Sequence, residues 1–163
     1  MKKSGFIAGA LILLLLSSCT ALNGLATGSQ KSDETLGPPI AFSSASAERA
    51  VNEYRQKHGL TPVRTDPLVI QVAQEQSDAM AKQHRLEHDA AGEFGARTKV
   101  IRGAKSAAEN IAYGRSDFQR TLQQWINSPG HNKNLLMRSG KRMGVGVASS
   151  SKGVPYWTFV ITD

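Results

Sequence analysis

Apolar residues follow two different rhythms along this chain. In SASAERAVNEYRQKHG, Ala47, Ala50, Val51 and Tyr54 recur at intervals of three and four, which predicts a helix that Ser43 or Ser44 can cap and Gly59 can close. TDPLVIQVAQEQSDAMAKQH predicts a second helix. Asp66 is placed to cap it, Pro67 suits its first turn, and Leu68, Val72 and Ala79 run beside Val69, Ala73 and Met80. Phe94, Arg97, Val100 and Ile101 predict a shorter helix ending near Gly103. In SDFQRTLQQWI, Ser116 and Gln119 form a candidate capping box, with Phe118, Leu122, Trp125 and Ile126 on one face.

That fourth helix runs into Ser128-Pro129-Gly130. Proline has no N–H for a helix ladder and biases the residue before it toward extended backbone, while glycine tolerates angles that other residues resist. The break therefore fixes the direction in which His131 leaves the turn. HNKNLL beyond it predicts a short helix that His131 could itself cap.

From Met143 the rhythm changes to alternation. MGVGVASSSKGVPYWTFVIT predicts two strands around a Ser/Lys/Gly turn, with Trp157, Phe159 and Ile161 on one side and Tyr156, Thr158 and Val160 on the other. Both sides are largely apolar, so helices must cover both. The class is α+β, a three-layer α-β-α sandwich with a central antiparallel sheet. Gly144 and Gly146 would let another group approach that sheet closely.

Ahead of Ser43 neither rhythm holds. Lys2 and Lys3 precede an apolar run from Gly5 to Leu16 that is short for a membrane span and reads as a signal peptide. The run ends in LSSC, which resembles the lipobox of bacterial lipoproteins. The resemblance implies that Cys19, the only cysteine of the 163 residues, is acylated and becomes the mature N-terminus. A lone buried thiol is the alternative reading. TALNGLATGSQKSDETLGPPIAF, rich in small and polar residues, reads as a flexible tether. The expected organisation is a leader over 1–18, an acylated cysteine and tether over 19–42, and a domain over 43–163. The anchor implies attachment to the cell envelope. In a two-membrane bacterium, Thr20 after the cysteine resembles the signal for outer-membrane sorting, facing the periplasm; otherwise the outer face of the cell membrane is expected.

Composition adds two exclusions. With 40% hydrophobic and 20% charged residues the chain is globular in type, and without a cysteine pair the domain must be held by its core. The net charge of +7, less the two leader lysines, leaves +5 for the mature part. Its densest basic run, Arg97, Lys99, Arg102 and Lys105, has no interleaved aromatics for stacking bases, so nucleic acid is not an expected partner. A monomer is expected.

Five blocks, LVIQVAQEQSDAMAKQHRLEH, AENIAYG, WINSPGHNKNLL, MGVGVA and YWTFVIT, resemble in order and spacing the bacterial branch of the CAP superfamily. That superfamily comprises cysteine-rich secretory, antigen 5 and pathogenesis-related proteins, and its domains are also called SCP-like. The resemblance covers Ser43 to Asp163 and implies the same three-layer sandwich. It further implies a central cleft lined by two histidines and two acids, which binds a divalent metal in some members. His88 matches the first histidine, Glu109 the first acid and His131 the second histidine. The second acid would fall near Ser128 and is missing here.

Two imidazoles and a carboxylate are suitable zinc ligands and leave a position for water, so His88, Glu109 and His131 are the expected cleft and candidate metal residues. Their spacing has none of the local logic of an HExxH helix. Read without the family, Glu109 could simply accept backbone hydrogen bonds in an irregular loop. His58 and His84 fall at predicted helix C-termini, where they complement the dipole. Ser128 and His131 lack a GxSxG-type elbow and an orienting acid, which argues against a nucleophile and base.

Three functions compete. A non-enzymatic binding module would engage a lipid, an envelope component or a protein partner through the cleft. A metal-dependent hydrolase would use the same three residues to hold an attacking water. A scaffold would carry the cleft as a vestige.

Overall fold

Asp66 opens the longest helix by accepting hydrogen bonds from the backbone N–H groups of Leu68 and Val69, at 2.8 and 3.2 Å, with Pro67 in the first turn. The computed structural model describes residues 35–163. The expected leader, Cys19 and the tether through residue 34 lie outside the described residues. In chain order the elements are α1 (Ser44–Lys57), β1 (Arg64–Thr65), α2 (Pro67–Gln83), α3 (Phe94–Thr98), β2 (Ala107–Tyr113), α4 (Phe118–Ile126), α5 (Pro129–Leu135), β3 (Arg142–Ser149) and β4 (Pro155–Thr162). No helix among the described residues is long and apolar enough to cross a membrane.

The four strands form one sheet in the order β1-β3-β4-β2. The pairs β3–β4 and β4–β2 are antiparallel, and β1 adds a two-residue parallel edge. Helix α2 covers one face, burying Val69, Val72, Ala73, Gln76, Ser77, Met80 and Ala81 at helical spacing. The opposite face carries the larger core, in which α1, α4 and α5 meet Trp157, Phe159 and Ile161 of β4. This is the expected α-β-α sandwich, with apolar side chains on both faces of the sheet because both faces are covered.

Gly144 and Gly146 determine how closely α2 can lie on β3. A Cβ at Gly144 would fall on the backbone of Val69 and Ile70, and one at Gly146 on that of Ala73 and Gln74. The proximity is reinforced by Gln74, whose amide donates to the Val147 carbonyl at 2.9 Å and accepts from its N–H at 3.2 Å.

Four local expectations are corrected. AENIAYG is strand β2 and not an irregular loop, with Glu109 opposite Val160 and Ile111 opposite Thr158. Asp117, not Ser116, caps α4, accepting from the Arg120 N–H at 2.9 Å, so the helix starts one residue later than the Ser116–Gln119 box implies. Helix α5 starts at Pro129 with Ser128 as its cap position, so His131 is the third residue of the helix and not its cap. The end of the expected tether also packs. Leu36 bridges to Ser150, the Gly37 N–H donates to the Ser149 carbonyl at 2.7 Å, and Ile40 and Phe42 join the larger core. Phe42 meets Phe118 and Trp157 edge-on at 5.9 and 5.7 Å, so the packed unit begins before Ser43.

Candidate functional site

His88, Glu109 and His131 come from three separate elements. His88 lies in the loop between α2 and α3, Glu109 on β2, and His131 in the first turn of α5. Each is held by its own set of contacts.

Buried Gln76 of α2 shapes the loop that carries His88: its amide donates to the Glu87 carbonyl at 2.6 Å and accepts from the Ala91 N–H at 3.1 Å. Helix α5 is tied to β2 by two asparagines. Asn110 donates to the His131 carbonyl at 3.0 Å, while Asn134 donates to the Asn110 side chain at 2.9 Å and to the Glu109 carbonyl at 3.1 Å. Arg55 secures the other end of α5. Fully buried, it donates to the carbonyls of Leu135 and Met137 at 2.8 and 3.1 Å, and burial pulls its pKa below the ordinary arginine value. The Ser-Pro-Gly corner therefore turns the chain from α4 into a helix docked at both ends.

Glu109 and His88 meet directly, with the Nδ1 atom of His88 2.9 Å from Oε1 of Glu109. An ionised carboxylate only accepts, so Nδ1 carries the proton and donates, and a neutral His88 presents its Nε2 lone pair. The His88 side chain is 59% exposed and the Glu109 side chain 2%.

The second carboxylate oxygen is also occupied. Nη2 of Arg97, on α3, donates to Oε2 of Glu109 at 2.8 Å and to the His88 carbonyl at 2.9 Å. The Nε of Arg97 donates to the Gly92 carbonyl at 2.9 Å, and its guanidinium carbon lies 5.2 Å from the centre of the Phe94 ring. With 6% of its side chain exposed, Arg97 forms a buried ion pair with Glu109.

His131 stands near this pair without bonding to it. Its Nδ1 is buried and has no hydrogen-bond partner among the described residues. Burial first, and the charge of His88 second, lower its pKa below the ordinary histidine range.

The zinc set expected of His88, Glu109 and His131 does not fit this geometry. Among the described residues no group of three or more His, Cys, Asp and Glu side chains is placed to hold a metal ion. The carboxylate that would be the anionic ligand also has one oxygen on the Arg97 guanidinium and the other on the His88 imidazole.

Arg97 is the residue that sequence reasoning missed. The available signal was a lone cation three positions after Phe94 on an otherwise apolar helical stripe. The other two histidines stand apart: His58 contacts the Tyr54 carbonyl at the end of α1, and His84 contacts Ser151 at the end of α2. A groove of about 490 Å³ beside Phe42, Ala47 and Phe118, at the start of α1 and α4, is lined by neither the histidines nor Glu109.

The three-layer sandwich, with the Glu109–His88 pair on its edge strand β2, is that of an SCP-like domain. Residues 48–161 match the CAP family, the cysteine-rich secretory protein family, and the chain belongs to it. It is 29% identical over 135 residues to the uncharacterized protein YkwD of Bacillus subtilis, covering 79% of this chain and 51% of that one. The chain thus spans about half the length of that relative. Among solved structures, it is similar to an extracellular protein containing an SCP domain from Bacillus anthracis, with 31% identity, a TM-score of 0.60, and coverage of 72% of this chain and 39% of that one. An outer surface protein from Borrelia burgdorferi shares the fold at 17% identity, with a TM-score of 0.66 over 73% of this chain and 90% of that one.

Proposed function

We propose that this protein is an envelope lipoprotein whose CAP domain is a non-enzymatic binding module. Its cleft of His88, Glu109 and His131 would take a lipid, another envelope component or a protein partner. The observation that carries the reading is the full engagement of Glu109. With one oxygen on His88 and the other on buried Arg97, the carboxylate is a fixed hydrogen-bonding element and not a free general base. A hydrolase would need that base, or a metal-bound water held by the three residues. What the cleft offers is recognition, through the exposed His88 ring beside a rigid floor.

The sequence LSSC supports the anchor: acylation of Cys19 would hold the domain at a membrane surface, since two or more acyl chains give stable attachment. Radiolabelled palmitate should be incorporated by the wild type and lost in Cys19→Ser; label that persists would sink the lipoprotein assignment.

The cleft is tested by spectra of isotope-labelled protein with two probes, vesicles of phosphatidylglycerol and phosphatidylethanolamine, and soluble peptidoglycan fragments. Shifts centred on His88, Glu109 and His131, with the probe recovered unchanged, are expected. Turnover of the probe would overturn the non-enzymatic reading, and spectra unmoved by both would favour a protein partner.

A further inference from the structure

The Glu109 carboxylate is almost fully buried, and a buried carboxylate needs a positive partner. In a metal-binding cleft that partner is the ion. Here it is a side chain of the same domain, because Arg97 delivers a guanidinium to Oε2 at 2.8 Å. Arg97 is no loosely held surface arginine. It is anchored by the carbonyls of Gly92 and His88 and by the Phe94 ring, and it is nearly as buried as the carboxylate it neutralises.

We propose that Arg97 is the resident cation of this cleft and determines its ligand specificity by excluding divalent metals. A single carboxylate already matched by a guanidinium has no negative charge left for a dication. An ion at Glu109 would have to displace Arg97 from three hydrogen bonds or be held beside its positive charge. Taking away the guanidinium while keeping the fold should free Oε2 and create a zinc site from Glu109 and the adjacent His88. This holds whatever ligand the cleft binds, so its failure leaves the binding-module reading to its own test.

The experiment is calorimetric titration of zinc alone into the metal-stripped protein, as wild type, R97Q, R97K and R97Q/H88A, each first checked for folding by circular dichroism. R97Q should bind one zinc at least about ten-fold more tightly than wild type, a gain worth about 1.4 kcal/mol. R97K retains the charge and should behave like wild type. R97Q/H88A should lose the gain. A folded R97Q with no gain overturns the proposal, as does a gain that survives loss of His88. Ring spectra of His88 and His131 in the wild type provide a test that does not depend on any variant. Both rings should be unmoved by equimolar zinc, and broadening of both would overturn the proposal even if R97Q failed to fold.

Discussion

Arg97 and Glu109, on α3 and β2, form an ion pair at 2.8 Å whose side chains are 6% and 2% exposed. The pair joins the loop that carries His88 to the sheet edge that carries Glu109, because the same guanidinium nitrogen also donates to the His88 carbonyl.

A buried pair of this kind is more sensitive to losing one member than to losing both. Glu109→Gln leaves the Arg97 charge unmatched and should destabilise the domain by about 3 kcal/mol or more. Arg97→Met combined with Glu109→Leu removes both charges and should cost less than Glu109→Gln alone. Urea denaturation of the wild type and the variants measures the difference. A double variant as destabilised as Glu109→Gln, or more so, would mean that the two charges do not depend on each other.

His131 sets a pH dependence. Burial and the His88 charge lower its pKa in the folded protein, so below about pH 6.5 the unfolded chain takes up a proton that the native protein resists. Its contribution is intact above that pH and is lost as pH falls toward the lowered value. Urea midpoints between about pH 7.5 and 5.5, a range that brackets the ordinary histidine pKa, should therefore fall more steeply for the wild type than for His131→Asn. Equal slopes would place the loss elsewhere. Glu48 acts in a separate, more acidic window: hydrogen bonds from the Thr65 N–H and hydroxyl hold its carboxyl below the usual range, and that support is lost when it protonates.

At Gly146 the neighbour is backbone, which cannot swing aside. Gly146→Val would push its side chain into Ala73 and Gln74 of α2, at a cost of about 3 kcal/mol or more. Gly153, in the β3–β4 turn with open space around its Cβ position, has a φ of 74°. Gly153→Asn should be far milder, since asparagine tolerates that conformation. Thermal melts of the two variants distinguish close packing from turn geometry.

The segment just before Ser43 should contribute to stability. A protein starting at Ser43 loses the aromatic contacts of Phe42, the Ile40 packing and the Gly37 hydrogen bond, which should cost about 2 kcal/mol and lower the melting temperature by roughly 5 °C. One starting at Thr35 should keep these contacts and melt close to the full chain. Equal melting of the two shorter proteins would return residues 36–42 to the tether.

The sequence by itself determined what depends on near neighbours. Val69, Val72, Ala73 and Met80 share one side of a helix because the backbone repeats every 3.6 residues, and Asp66 caps that helix by reaching donors two and three positions away. Trp157 and Phe159 on one side of β4, with Val160 on the other, follow from an alternating pleat, and together they require helices on both faces. Tertiary structure decided what depends on distant partners. AENIAYG has no alternation of its own and becomes a strand because β4 and the Asn110–Asn134 clamp take up its backbone and side-chain groups. Phe42 has no periodic neighbours and is held by Phe118 and Trp157. The family resemblance pointed to His88, Glu109 and His131, of which His88 and Glu109 meet, but the other partner of the carboxylate came from elsewhere. Arg97 reads as one cation in a basic run until the fold places it against Glu109, away from water, where a charge must find its counterion within the protein.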